Sequence, residues 1–280
     1  MKAGDLMAAF SAKQLEQQDL NYILADLLHC PIPELAFRRG QELSPEQEIL
    51  FHQYSSRLQK GEPPQYILGK AWFYGLELEV DPAVLIPRPE TEGLVELALR
   101  HIRPGQKVLE IGTGSGAISI ALHKARPEAC YTATELSSEA LQIARRNAAR
   151  HKCAIDFQLA DLFPSELARF DLIVSNPPYV SPQEYAKLEP RVRDFEPRLA
   201  LYADDGGLAF YRRILETAPQ FLPECGLVCF EHGYSQRKPI LELAGKLGWA
   251  CLEALQDLSG RNRYLLLQKS AASVTPAFET

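Results

Sequence analysis

The first part of the chain carries apolar residues at spacings of three and four, the period of an α-helix with one buried face. Such a face runs from Asp19 to Cys30, and Pro31 and Pro33 follow it directly. Because proline lacks a backbone donor and clashes with the preceding turn, we predict that the helix ends there. The apolar residues on this face are Leu20, Ile23, Leu24, Leu27 and Leu28.

A second helix is predicted from Ser44 to about Lys60. Ser44 can cap this helix, Pro45 suits the first helical position, and Gln47 stands where a capping box requires it. Gly61 lies just past the expected end, a position that glycine favours. We therefore interpret residues 1–72 as a small helical domain without strands.

The pattern then changes from a helical period to an alternating one. Leu and Glu alternate from Leu76 to Glu79, and Asp81-Pro82 ends the alternation. A period of two is typical of a strand with one buried face. Residues 73–90 are therefore predicted to form a hairpin linker between the helical domain and a second domain, residues 91–280.

From Lys107 onward, short apolar runs alternate with helical patterns, which predicts a doubly wound, mostly parallel α/β sheet. The last two runs have no clear helix between them and predict an antiparallel edge. We expect Ala271 to Thr280 to form a frayed tail. Seven strands are predicted at 108–111, 131–135, 155–159, 171–174, 227–230, 249–255 and 264–267, with helices from about 91 and at 117–125, 137–151, 207–221 and 236–247.

The composition is that of an ordinary globular protein. The 280 residues are 46% hydrophobic and 24% charged, and apolar runs such as Val84-Leu85-Ile86 are too short to span a membrane. The N-terminus shows no signal-peptide core, so we expect a soluble, cytoplasmic protein. The six cysteines form no C-x-x-C pair and no histidine has a zinc-finger spacing, so we expect no metal site.

A glycine-rich segment, Glu110-Ile111-Gly112-Thr113-Gly114-Ser115-Gly116, joins the first predicted strand of the sheet to the next helix. Glycines there allow a tight turn and a close approach to a ligand, and the helix N-terminus offers free N–H groups. The G-x-G-x-G spacing leaves both a dinucleotide and S-adenosylmethionine open and favours the latter.

Two further acidic positions follow predicted strands. Glu135 ends the second strand of the sheet, where a carboxylate can accept hydrogen bonds from ribose hydroxyls. Asp161-Leu162-Phe163 follows the third strand, where a carboxylate can accept from an adenine amino group between apolar neighbours. Taken alone, Glu135 is equally consistent with a helix-capping residue and Asp161 with an ordinary loop residue.

The sharpest motif, Ser175-Asn176-Pro177-Pro178-Tyr179, follows the fourth strand. Pro177 forces Asn176 into an extended conformation, and the two prolines remove two N–H donors. The groups that remain are an amide oxygen, backbone carbonyls and an aromatic face. This combination predicts a slot, rich in acceptors, for a planar –NH₂ group.

Together these segments resemble a known family. The chain is similar to class I S-adenosylmethionine-dependent methyltransferases and, within them, to the release factor glutamine N5-methyltransferases, the HemK/PrmC family. Asn-Pro-Pro-Tyr is shared with methyltransferases that act on adenine amino groups, whereas Ile86–Glu92 and the helical N-terminal domain are more particular to the glutamine enzymes. The resemblance covers nearly the whole chain and includes Pro64–Gly69, Leu85–Glu92, Glu110–Gly116, Asn176–Tyr179, Phe195–Pro197 and Glu231–Tyr234.

The resemblance implies S-adenosylmethionine as the cofactor. Its methionine part would be held by Gly112 to Gly116, its ribose by Glu135, and its adenine by Asp161 and Leu162. Many relatives carry Asp where this chain has Glu135, which changes the reach of the carboxylate and not its chemistry. A second departure is Gly260–Arg263, where relatives often have an acid before the final Arg; it lies outside the implied site.

The resemblance also implies the substrate. Asn176, Pro177, Pro178 and Tyr179 would grip a glutamine side chain, and Asn176 would also contact the cofactor. Asn176, Pro177 and Tyr179 would be the catalytic residues. The implied partners are class I peptide chain release factors, modified at the glutamine of their GGQ motif. Residues 1–72 would recognise the partner, and we expect a monomer.

An amide nitrogen is a poor nucleophile because its lone pair is delocalised, so the site must do more than hold it. The hypothesis is that Asn176 Oδ1 and the Pro177 carbonyl accept the two amide hydrogens and stabilise the positive charge that grows on nitrogen. Tyr179 would stack on the flat amide. No general base is required, because the proton can leave after methyl transfer.

Three other functions use parts of the same motifs. An adenine N6-methyltransferase of nucleic acids could use Asn176 to Tyr179, but the formal net charge is −6, and residues 76–280 carry 23 Lys+Arg against 27 Asp+Glu. No direct nucleic-acid binding is therefore expected. A non-catalytic partner-binding module has no reason to retain both the glycine loop and Asn176. A nicotinamide dehydrogenase has no use for Asn-Pro-Pro-Tyr.

Overall fold

The computed structural model describes residues 2–11 and 15–270, so the predicted tail from Ala271 lies outside the described residues. Five helices form the N-terminal region, and a core of leucines around Phe51 holds them together. The predicted apolar face is buried, since Leu20, Ile23 and Leu24 are almost fully inaccessible. The helices are α1 (Ala3–Ser11), α2 (Gln17–Leu27), α3 (Leu35–Arg38), α4 (Pro45–Leu58) and α5 (Pro64–Leu68), with a 3-10 turn at Ile32–Glu34.

The capping box at the start of α4 is present as predicted. The Gln47 backbone N–H donates to Ser44 Oγ (3.2 Å), and the Ser44 N–H donates to Gln47 Oε1 (2.9 Å). Gln47 Nε2 also donates to the Leu27 carbonyl at the end of α2 (2.6 Å). The Gln47 side chain therefore caps the start of α4 and donates to a carbonyl at the end of α2 that has no partner within its own helix.

A hairpin is present, with β1 (Lys70–Phe73) and β2 (Leu76–Glu79) paired antiparallel around a turn at Tyr74-Gly75. The prediction that residues 1–72 contain no strand is wrong, because the left-handed Gly69 ends α5 and the chain pairs with β2 from Lys70 onward. Phe73 and Leu78 are buried in the core beside the large sheet. The hairpin is fastened to a helix by Asn147, which accepts from the Glu79 N–H (2.7 Å) and donates to the Glu79 carbonyl (2.9 Å).

The seven-stranded, mostly parallel sheet is confirmed, with strand order β5-β4-β3-β6-β7-β9-β8. The five strands β3 to β7 are parallel, with β4 and β6 on either side of β3, and the final hairpin pairs antiparallel with β7 through β9. The carboxyl ends of β3 to β7 therefore meet at one edge of the sheet. The strands are β3 (Lys107–Ile111), β4 (Cys130–Glu135), β5 (Ile155–Leu159), β6 (Leu172–Ser175), β7 (Leu227–Glu231), β8 (Trp249–Gln256) and β9 (Asn262–Lys269).

Helices cover both faces of the sheet, and the core lies in two layers. The predicted helix over 207–221 is shorter: its α-helical part begins at Ala209 and ends at Thr217, because Gly207 has a φ of +88° and Pro219 disfavours continuation. The helices are α6 (Glu92–Leu99), α7 (Ala117–Ala125), α8 (Ser138–Arg150), α9 (Pro182–Tyr185), α10 (Pro190–Arg193), α11 (Asp204–Gly207), α12 (Ala209–Thr217) and α13 (Arg237–Lys246), with 3-10 turns at Pro89–Thr91, Arg198–Ala200 and Ala218–Gln220.

Replacing Asn147 by Ala should destabilise the protein by about 2–4 kcal/mol. The side chain is fully buried and bridges the hairpin to the glycine loop, since its Nδ2 also donates to the Ser115 carbonyl (2.9 Å). Its loss leaves buried backbone groups without partners, each at a cost of about 1–3 kcal/mol. Urea unfolding measures the loss, and Gln142→Ala, at an exposed position on the same helix, is the control. Equal stability of the two variants would contradict this account.

Candidate active site

A cavity of about 370 Å³ opens at the carboxyl edge of the sheet. Segments that are far apart in sequence but follow neighbouring strands form its walls. Gly116 and Tyr179 are the two predicted site residues outside this lining. The predicted residues that line it are Gly112, Thr113, Gly114, Ser115, Glu135, Asp161, Leu162, Asn176, Pro177 and Pro178.

The glycine loop after β3 has three glycines with positive φ, at Gly112 (73°), Gly114 (55°) and Gly116 (84°). A Cβ atom placed on Gly112 or Gly114 would meet open space, whereas one on Gly116 would lie 3.1 Å from Ile120 Cδ1. Gly112 and Gly114 are therefore needed for the backbone conformation of the loop and not for close packing. Gly116 serves both conformation and the close packing of α7 on α8.

A buried carboxylate that the sequence reasoning did not select, Glu110, holds this loop from behind. Its Oε2 accepts from Thr113 Oγ1 (2.6 Å), from the Ser119 N–H (3.1 Å) and from Ser119 Oγ. Burial raises the pKa of Glu110 to about 7, against these hydrogen bonds, which lower it. The available signal was a single charged residue inside the apolar run Val108–Ile111.

Glu135 is held at the end of β4 by backbone donors. Its Oε2 accepts from the Gly114 N–H (2.9 Å), and its Oε1 accepts from the N–H groups of Leu136 (2.9 Å) and Ser137 (3.0 Å). The carboxylate thus joins the glycine loop to the start of α8. It is partly exposed and keeps lone pairs that can accept further hydrogen bonds.

Asp161 and Leu162 follow β5 on the same wall of the cavity. The Asp161 carboxylate pairs with Arg213 of α12 (2.7 Å), and both side chains are about half exposed. Leu162 has a φ of +70°, and its carbonyl accepts from Thr134 Oγ1 (2.6 Å). Phe163 turns away from the cavity and stacks on Phe221 in the core, with ring centroids 4.7 Å apart.

Asn176 follows β6 and lies at the cavity wall with its amide anchored. Its Nδ2 donates to Thr91 Oγ1 (3.2 Å), and Thr91 also lines the cavity. One residue earlier, Ser175 Oγ donates to the Ile111 carbonyl (2.8 Å), which ties the motif to β3. The hydrogen bond through Nδ2 leaves Oδ1 as the end of the amide that a ligand can use.

Tyr179 packs beside the cavity, and burial raises the pKa of its hydroxyl to about 12. Its backbone carbonyl accepts from Gln236 Nε2 (2.9 Å), while Gln236 Oε1 accepts from the Gly233 N–H (2.9 Å). A Cβ atom on Gly207 would lie 2.3 Å from Gln236 Nε2. Sequence reasoning missed Gln236, whose role depends on a contact 57 positions away.

The segment Leu85–Glu92 contributes Leu85, Pro87, Arg88 and Thr91 to the cavity lining and is anchored near both ends. Glu196, whose side chain is buried, pairs with Arg88 and accepts from the Ile86 N–H (3.3 Å). Tyr264 of β9 donates to the Glu90 carbonyl. Two of the segments that carry the family resemblance, Leu85–Glu92 and Phe195–Pro197, are therefore in direct contact.

Comparison with known proteins agrees with this architecture. Residues 91–190 match the family model of the methyltransferase small domain, and residues 6–69 match that of the PrmC N-terminal domain. A methyltransferase structure from Pyrococcus furiosus superimposes with a TM-score of 0.55 at 23% identity, over 78% of this chain and 99% of that chain. The chain therefore shares the fold of that structure and contains a methyltransferase small domain.

The curated relatives make the assignment more specific. A release factor glutamine methyltransferase of Streptococcus pneumoniae is 40% identical over 95% of this chain and 98% of its own length. Another from Geobacter sulfurreducens is 42% identical over 79% of this chain and 78% of its own length. The chain belongs to the family of release factor glutamine methyltransferases.

The burial of Glu110 should make stability depend on pH. The pKa is raised from 4.5 in the unfolded chain to about 7 in the fold, so ionisation is disfavoured in the native state. The contribution of Glu110 to the free energy of unfolding is fully present below about pH 4.5. It is lost as the pH rises through 7, a loss of up to about 3 kcal/mol.

Glu110→Gln removes this ionisable group and should flatten the dependence of the free energy of unfolding on pH over the same range. The stability of the wild type relative to the variant should fall between pH 5 and pH 8, as measured by denaturant unfolding at each pH. A constant difference between the two proteins over that range would show that the Glu110 pKa is not raised. Glu242→Gln, an exposed substitution on α13, should leave the pH dependence unchanged.

Proposed function

We propose that this chain transfers a methyl group from S-adenosylmethionine to the side-chain nitrogen of a glutamine in class I release factors, with the described cavity as its active site. The proposal depends above all on the placement of Asn176, whose amide nitrogen is engaged by Thr91 at the cavity wall. The oxygen end of that amide is suited to accept a hydrogen from a substrate –NH₂ group.

The residues present fit S-adenosylmethionine. The cavity of about 370 Å³ has the size of a small-molecule site, and the open faces of Gly112 and Gly114 allow a ligand to approach the backbone. Glu135 is positioned by backbone donors and can accept from ribose hydroxyls. Asp161 and Leu162 are proposed for adenine. When bound, the cofactor supplies a methyl group on a positively charged sulfur.

The protein contributes orientation and electrostatic stabilisation. Asn176 Oδ1 and the Pro177 carbonyl accept the two hydrogens of the glutamine amide and favour the positive charge that develops on its nitrogen. Pro177 and Pro178 have no backbone N–H, so neither residue adds a donor beside these acceptors. Tyr179, held through its carbonyl by Gln236, is proposed to flank the flat amide.

The proposed division of labour follows the chain. Residues 1–72 recognise the release factor, residues 73–90 form the linker, and residues 91–280 carry out methyl transfer.

Among the described residues there is no helix long and apolar enough to cross a membrane. We propose that the enzyme acts as a monomer in the cytoplasm on a protein rather than on a nucleic acid.

Asn176→Ala should lower turnover of the release factor by at least about 100-fold while leaving cofactor affinity within about twofold. The variant removes an acceptor aimed at the reacting nitrogen, and losses of this type cost about 10²–10³ in kcat. Mass spectrometry of the release factor measures turnover, and calorimetry measures cofactor binding. Gln142→Ala is the control, and near-normal turnover of Asn176→Ala would refute the proposed role.

An assay of methyl transfer from labelled cofactor, with a release factor or duplex DNA as the acceptor, distinguishes glutamine methylation from adenine methylation. Both activities could use the Asn-Pro-Pro-Tyr motif. We expect label in the release factor at its GGQ glutamine and none in DNA, because the surface is acidic overall and DNA binding depends on cationic contacts. Label in DNA alone would overturn the proposed substrate.

A further inference from the structure

Three polar side chains stand in line from the interior of the sheet to the cavity. Glu231 ends β7, Asn176 follows β6, and Thr91 precedes α6. The parallel register pairs Ser175 with Phe230, so Asn176 and Glu231 leave neighbouring strands at the same level. Thr91 and Asn176 line the cavity, whereas Glu231 lies behind them and is only 2% exposed.

The hydrogen bonds of this group have a direction. Thr91 Oγ1 accepts from Asn176 Nδ2 (3.2 Å), which leaves the hydroxyl hydrogen free to be donated elsewhere. Thr91 and Asn176 lie close enough to the Glu231 carboxyl for their polar hydrogens to lower its pKa. Its Oε2 atom has no partner among the described residues, although it is buried. A buried, incompletely satisfied carboxylate is costly, so its placement beside Asn176 calls for a functional explanation.

We propose that Glu231 is a positioning residue that acts through Thr91 to hold the Asn176 amide with its nitrogen turned inward and Oδ1 presented to the substrate. This inference rests on the proposed role of Asn176. The two ends of an Asn side chain have nearly the same shape and opposite polarity. A reversed amide would direct N–H donors at the donors of the glutamine –NH₂ group and prevent binding in the reactive orientation.

The charge of Glu231 adds to this orientation. A negative charge on Glu231, beside Thr91 and Asn176, polarises the hydrogen bond between these two side chains, so Asn176 Oδ1 becomes a stronger acceptor for a nitrogen that gains positive charge. A protonated Glu231 carries no such charge and offers a donor in its place. The ionised form is therefore the active one.

Burial raises the pKa of Glu231 to about 7, which places this change of charge near neutrality. Arg263 of β9 favours the ionised form, while Glu90 opposes it. The tyrosines that face this group, Tyr179, Tyr211 and Tyr264, have pKa values raised further above neutrality and stay uncharged.

Two other groups bear on the choice of experiment. Burial lowers the pKa of the adjacent His232 to about 4, so it stays neutral over the same range. Glu110 titrates near pH 7 as well. For this reason the comparison of variants, rather than the wild-type pH profile alone, tests the proposal.

The test measures kcat and KM for a release factor, and cofactor affinity, from pH 5.5 to 8.5 for Glu231→Gln, Thr91→Val and Thr91→Ser. We expect Glu231→Gln to lower kcat on the order of tenfold to a hundredfold at pH 8, with cofactor affinity within about twofold, and to lose the rise of kcat through about pH 7. Thr91→Val should show a similar loss, and Thr91→Ser, which restores the hydroxyl, should recover most of it. Glu224→Gln, an exposed substitution before β7, should match the wild type.

Each outcome decides between the hypotheses. If Asn176→Ala is inactive but Glu231→Gln keeps the wild-type kcat and pH profile, the positioning role is wrong and the proposed function stands. If the wild type does not modify the release factor, the proposed function fails and the inference fails with it. If Glu231→Gln no longer binds cofactor and is misfolded, Thr91→Val decides, and a normal kcat for that variant overturns the proposal.

Discussion

The parallel register of β3, β4, β6 and β7 is the constraint on which the rest of the site depends. It brings the ends of four strands to one edge at the same level, so that Gly112, Glu135, Asn176 and Glu231 become neighbours although 119 positions separate the first from the last. No single loop could place these groups together. A shift in the pairing of any one strand would move its terminal side chain away from the cavity.

Two buried carboxyl groups, Glu110 and Glu231, support this edge from inside the protein. The Glu110 carboxyl accepts hydrogen bonds from the glycine loop and from α7, which fixes the loop at the cavity. Glu231 lies beside Asn176 at the end of the neighbouring strand. Both groups oppose native stability above neutral pH, since burial raises both pKa values. Burying these two carboxyl groups therefore lowers native stability at the edge of the sheet that forms the cavity.

Much of the fold could be predicted because its signals are local. Short apolar runs mark the seven strands and helical periods mark the longer helices, while Gly112 to Gly116 and Asn176 to Tyr179 favour their own backbone conformations. Short elements such as α3 and α5 could not be predicted, because four or five residues hold little more than one helical turn, so no repeat is visible in the sequence. Thr91 and Gln236 could not be assigned either, because their partners lie 85 and 57 positions away.

The N-terminal domain meets the active site through the same segments that frame the cavity. Tyr66 of α5 donates to the Val84 carbonyl (2.6 Å), just before the segment that carries Thr91. Arg191 of α10 pairs with Asp19 of α2, and the chain from α10 continues directly to Glu196 and its ion pair with Arg88. Because the Glu196 side chain is buried, separating it from Arg88 would leave a charge uncompensated. A partner bound by the helical domain would therefore be held at a defined position relative to Asn176, which suits an enzyme whose substrate is a protein.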